Sequence, residues 1–117
     1  MDAYDISDLT NPILVDTYLP RPNEGIIPHN THYIDGYLVT SWYTEGVIII
    51  DANRPDNLVR VGQFDTFLGT GTGFQGCWGA YPYLPSGDLL VSDIQTGLYV
   101  LDVDYQRASY LEGCSIR

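Results

Sequence analysis

At 117 residues, 44% of them hydrophobic and ten of them tyrosine, the chain has the length of one ordinary domain and enough apolar surface for packed sheets, which excludes a disordered segment. Its 15 acids face five arginines and no lysine, for a formal charge of -10, so its surface repels phosphate backbones and anionic lipid, and no nucleic-acid partner is expected. The longest strictly aliphatic run, Val47 to Ile50, falls far short of the roughly 20 residues of a membrane-crossing helix, so no membrane insertion by this segment is expected.

In chain order, "MDAYDISDLT" lacks the basic start and apolar core of a secretory signal. "YDISDLTNPILVDTY" supplies two short strands. "THYIDGYLVTSW" reads as two more around Asp35-Gly36, a pair suited to a tight hairpin turn. "WYTEGVIIID" adds a turn at Glu45-Gly46 and a β-branched strand whose lack of polar alternation predicts cover on both faces. "ANRPDNLVRVGQF" brings a Pro-Asp-Asn turn and a further strand. Beyond "GTGFQG", the stretches "GAYPYL", "DLLVSD", "GLYVLDV" and "ASYLEG" each read as a strand. No helical periodicity competes.

The pattern repeats. A shift of 51 places lays Gly36, Leu38, Val39 and Ser41 on Gly87, Leu89, Leu90 and Ser92, and lays Gly46, Val47, Ile50 and Asp51 on Gly97, Leu98, Leu101 and Asp102. A shift of 46 lays Asp5, Asn11, Val15 and Tyr18 on Asp51, Asn57, Val61 and Phe64. Turn residues and strand cores match together, so two full copies and a leading half copy are expected. Four antiparallel strands per copy, covered on both faces at this period, predict β-propeller blades. The expected fold is all-β, a partial propeller of about two and a half blades, with a half blade of outer strands over 1–18 and full blades over 19–64 and 65–117.

"VIIID" and "LYVLD" resemble the Leu-Val-Ile-Val-Asp (LVIVD) repeat, and "YDISDLTNPILVDTY" is similar to the Asp-x-Ser-Asp-Pro-x-Asn-Pro segment that follows it. With "PHNTHYIDGYLVTSWYTEGVIIID" and "CWGAYPYLPSGDLLVSDIQTGLYVLD", the chain looks like part of a choice-of-anchor B protein. The resemblance implies a secreted, surface-attached or periplasmic propeller. A ring closes only with several blades, so a piece of a longer propeller is expected, with assembly of several chains as the alternative.

Among candidate sites, "PHNTH" holds both histidines, His29 and His32, at positions where the repeat has Ala80 and Tyr83. The pair therefore belongs to one blade, not to the framework. Residues three apart in a strand point to opposite faces, so the imidazoles converge on a metal only if His29 lies in the loop before the strand. The plainer reading has His29 and Asn30 bonding backbone at the mouth of the ring. Gly71-x-Gly73-x-x-Gly76 matches the dinucleotide fingerprint, but Gly79, Pro82 and Pro85 block the helix it requires, and a connection between blades is expected. Trp42, Tyr43, Trp78, Tyr81 and Tyr83 serve either as core between blades or as a stacking platform for sugars or a partner surface, with Trp78 the outstanding candidate. Asp51, Asp93 and Asp102, at strand ends, fit turn caps; calcium is the other ligand such acids suit, although no recognised calcium-loop spacing occurs. Cys77 and Cys114 either pair or stand as buried thiols.

The function expected is a non-enzymatic binding or scaffold module whose partners are the other blades and a protein or carbohydrate ligand met by His29, Asn30, His32 and Trp78. No catalytic residue and no obligatory cofactor is expected. The rival is an enzyme with a transition metal in the central channel and the two histidines as its ligands.

Overall fold

The computed structural model describes residues 1–105 and the backbone of 115 and 116. Its elements are all β-strands: β1 (Asp2–Asp5), β2 (Ile13–Thr17), β3 (Thr31–Ile34), β4 (Tyr37–Ser41), β5 (Val47–Asp51), β6 (Val59–Phe64), β7 (Cys77–Tyr81), β8 (Leu89–Asp93), β9 (Gly97–Leu101), β10 (Val103–Asp104) and β11 (Ser115–Ile116). They form a β1–β2 hairpin, a four-stranded sheet β3-β4-β5-β6, a three-stranded sheet β7-β8-β9 and the pair β10–β11. Every pairing is antiparallel. The expectation of an all-β chain holds.

Local chemistry sets these pairings. Asp35 and Gly36 both take positive φ, 48° and 88°, as a type I′ turn requires, and they fix Ile34 opposite Tyr37. Asp5 and Asp51, matched by the shorter shift, play the same part in their turns. Each carboxylate accepts the backbone N–H two residues on, from Ser7 at 2.8 Å and Asn53 at 2.9 Å. β7 starts at Cys77 and stops at Tyr81, because Pro82 has no N–H to offer the ladder. No helix follows the glycines at 71, 73 and 76; all three have positive φ and belong to the turn-rich connection from β6 to β7.

The β-branched strand is the middle of the stack. Val47, Ile48, Ile49 and Ile50 are all 0% exposed. By strand alternation Val47 and Ile49 enter a core with Val39, Cys77, Leu89, Val91 and Leu101, whereas Ile48 and Ile50 enter another with Trp42, Tyr18, Ile26 and Met1. The hairpin, the four-stranded sheet and the three-stranded sheet thus lie one on the next.

The stacking follows the repeat. Leu38 and Ile50 face the preceding hairpin, and their counterparts Leu89 and Leu101 face the preceding four-stranded sheet. Tyr18 meets Trp42 edge-on at 5.9 Å, and its counterpart Phe64 meets Tyr99 edge-on at 5.7 Å. One face breaks the series. Val39, Val47 and Ile49 are sealed, but their counterparts Leu98 and Val100 are 67% and 60% exposed and Leu90 is half-buried.

One detail differs from the sequence reading. "GLYVLDV" is not one strand: β9 ends at Leu101, and Val103–Asp104 pairs instead with Ser115–Ile116. The strand expected over "ASYLEG" and Cys114, whose pairing with Cys77 is one of two alternatives, lie outside the described residues.

Candidate functional site

Between the four-stranded and three-stranded sheets runs a seam where β3 and its lead-in meet β7. Its geometry starts from a bulge. Cys77 pairs with Asp93 and Gly79 with Ser92, so Trp78 is an extra residue without a partner across the ladder. A bulge re-aims a side chain and releases its backbone groups. Here the released Trp78 carbonyl accepts from His29 Nδ1 and from Ser41 Oγ at 3.2 Å, and Trp78 stays 49% exposed.

Ser41, itself wholly buried, is the hub. Its hydroxyl accepts the Asn30 N–H at 3.0 Å, and its backbone N–H donates to the Asn30 carbonyl at 2.9 Å. The Ser41 carbonyl accepts the His29 N–H at 2.8 Å. The loop entering β3 is therefore pinned to β4 and, through His29, to the next sheet. Beside it, Tyr43 and Cys77 exchange two backbone bonds, at 3.1 and 2.9 Å, from a Tyr43 held at φ 41°. Positive φ is uncommon for a bulky residue and persists only where its surroundings enforce it. Gly76 lets the chain approach there, because a Cβ on it would lie 2.5 Å from the Tyr43 carbonyl oxygen.

His29 does lie in the loop before the strand. Since a carbonyl only accepts, the Trp78 bond places the proton of neutral His29 on Nδ1 and leaves Nε2 as the acceptor. Its ring packs on Trp78 at 4.2 Å between centroids, with Tyr43 at 5.3 Å. His32, within β3, belongs to a second group, edge-on to Tyr83 at 5.5 Å and to Tyr81 at 6.5 Å. The two imidazoles thus have different ring partners, and among the described residues no three His, Cys, Asp or Glu side chains gather as metal ligands would. Asn30 is exposed beside His29.

Of the five aromatics singled out in the sequence, Trp42 and Tyr43 are core, whereas Trp78, Tyr81 and Tyr83 are open at 49%, 47% and 44%. Tyr83 is held in place by its hydroxyl, which donates to the Tyr33 carbonyl at 2.8 Å. Ser41, Tyr33 and Phe74, whose ring stands edge-on to Tyr43 at 5.3 Å, are site residues that sequence reasoning passed over. Only the match of Ser41 to Ser92 hinted at one of them.

Two of the three strand-end acids are engaged in structure. Asp51 caps its turn, and Asp93 accepts from Thr66 Oγ1 at 2.6 Å and from the Gln95 and Thr96 N–H groups at 2.8 and 2.9 Å. Burial pushes the Asp93 carboxyl up, but these bonds outweigh it and hold it below the usual carboxylate value. Burial, with the Asp93 charge adding to it, pushes the Cys77 thiol up to about 12. Asp102 is exposed.

The chain matches no family model, and no curated protein or solved structure matches it.

Proposed function

We propose that this chain is part of a β-propeller that works as a non-enzymatic binding or scaffold module, with its ligand site on the His29–Trp78 seam. The observation that carries the reading is the repeated stacking. Each sheet offers Val39-type positions to its successor, and Leu90, Leu98 and Val100 are left with apolar surface that another blade would cover. Further blades of the same propeller are the partners this face suits. In such a ring β3 and β7, the first strands of their sheets, border the central channel, and loops held by rigid sheets make the ligand site. The resemblance to choice-of-anchor B proteins favours an extracellular, surface-attached or periplasmic setting.

The seam also suits binding better than catalysis. Its polar groups are spent on holding one sheet to the next, while its exposed groups are aromatic rings and an amide. One feature favours the metal-enzyme reading, the uncommitted Nε2 acceptor of neutral His29, so the test is a metal titration. After dialysis against chelator, zinc or calcium is added and bound metal is counted. Substoichiometric metal, unchanged by His29→Ala, is expected. Stoichiometric metal lost on that substitution refutes the scaffold reading. The blade reading has its own test: a second copy of residues 66–117 fused after the first should raise the melting temperature and suppress binding of an apolar dye. Failure to change either counts against it.

A further inference from the structure

The seam differs from the rest of the surface in charge. In a chain carrying -10 overall, residues 25–34 and 66–87 contain no Asp, Glu, Lys or Arg. These two stretches supply His29, Asn30, His32, Tyr33, Trp78, Tyr81 and Tyr83. A site for an anion needs a cation to hold it, and the surrounding negative field repels anions. A site for a cation gains from a carboxylate beside the rings, and neither stretch has one. Protein interfaces enrich Arg alongside Trp and Tyr at their hot spots, and no Arg is present.

What remains is the open ring surface of Trp78, with neutral polar residues in the same stretches. His29 packs on the Trp78 indole at 4.2 Å between centroids, and Trp78 remains 49% exposed. Asn30, the neighbour of His29 in the chain, is exposed, and the Nδ1 bond to the Trp78 carbonyl leaves Nε2 of neutral His29 as an acceptor. Tyr81 and Tyr83, at 84° to one another, form a separate aromatic group with His32, and Tyr81 borders the Leu90–Leu98 face that a further blade would cover. Flat C–H surface with a rim of hydroxyls is the complement of such a ring face, and that is the chemistry of a pyranose ring.

We infer that the seam binds a neutral oligosaccharide, with one sugar stacked on Trp78 and its hydroxyls bonded by Asn30 and His29. This rests on the binding reading above and names its ligand class. Trp78 and Trp42 are the only tryptophans, and Trp42 is 0% exposed, so acrylamide quenching of the native protein reports Trp78. Cellohexaose, mannohexaose and N-acetylchitohexaose are the probes.

At least one should protect Trp78 from the quencher in a saturable way, with the same affinity in 0.05 and 1 M salt as expected for an uncharged ligand. By calorimetry, Trp78→Ala should weaken that binding by about tenfold or more, with Trp78→Phe recovering part of it. Unchanged Trp42 emission checks that the variants fold. Affinity that falls steeply with salt overturns the inference, as does an effect equal in Trp78→Ala and native protein. Absence of protection by all three sugars overturns it too. A phage-displayed peptide library then separates the outcomes: peptides that need Trp78 leave the binding role standing and remove only the glycan, and failure of both removes both.

Discussion

Ile49 and Val100 occupy equivalent places in successive sheets, yet one is 0% exposed and the other 60%. Cutting both back to Ala turns that contrast into an energy. At about 0.8 kcal/mol per buried methylene-sized group, Ile49→Ala forfeits roughly 2.5 kcal/mol of transfer energy. The cavity left behind raises the loss to about 3–4 kcal/mol, inside the range for buried Ile→Ala changes. Val100→Ala removes a smaller group that is mostly wet already, so it should cost about 0.5 kcal/mol and leave no cavity. Urea unfolding followed by Trp42 emission measures both, with an unchanged slope showing that the same surface is exposed in each variant. If Ile49→Ala is too unstable to study, Ile49→Val should still cost about 1 kcal/mol. Equal losses at the two positions would refute the view that the last sheet has an open apolar face.

Three more outcomes follow from the seam and its surroundings. The folded pKa of Asp93 is depressed, so its contribution is complete above the ordinary carboxylate value of 3.8 and is lost as pH falls through the folded value. Asp93→Asn should therefore flatten the acid limb of a stability-against-pH curve below about pH 4, and an unaltered limb would contradict this. With its pKa raised to about 12, Cys77 should resist a thiol reagent at pH 8 in the folded Cys114→Ser variant and react once urea unfolds it; free-thiol rates in the native protein would contradict the burial. Gly76→Ala should lose about 2 kcal/mol or more in thermal melts, because φ is +85° and the new Cβ meets the Tyr43 carbonyl. A melting temperature equal to the parent's would show that the close approach is not needed.

Much of the fold was legible because its cues are local. Asp35-Gly36 specified a hairpin turn, and four β-branched residues in a row specified a strand with no wet face. Asp5 and Asp51 ended strands in the same way because the same Asx geometry closes both turns. The site was legible only as a set of names. His29 and Trp78 are 49 positions apart, and their meeting depends on how two sheets stack, which no window of sequence carries. The bulge that turns Trp78 outward has no residue signature beyond its flanking glycines. Nor did Ser41 announce itself: a buried serine in an apolar strand looks like filler until His29, Asn30 and Trp78 are seen around it.

The bulge at Trp78 also has a defensive consequence. β7 is the border strand of its sheet, and a straight border offers a row of vacant amides and carbonyls to any stray chain that arrives extended. Here the row is spoiled at its start. Cys77 is already joined to Tyr43, and the next carbonyl is occupied by an imidazole and a hydroxyl from the neighbouring layer. The irregularity that displays the indole to solvent thus also withdraws the start of this strand from edge-to-edge pairing.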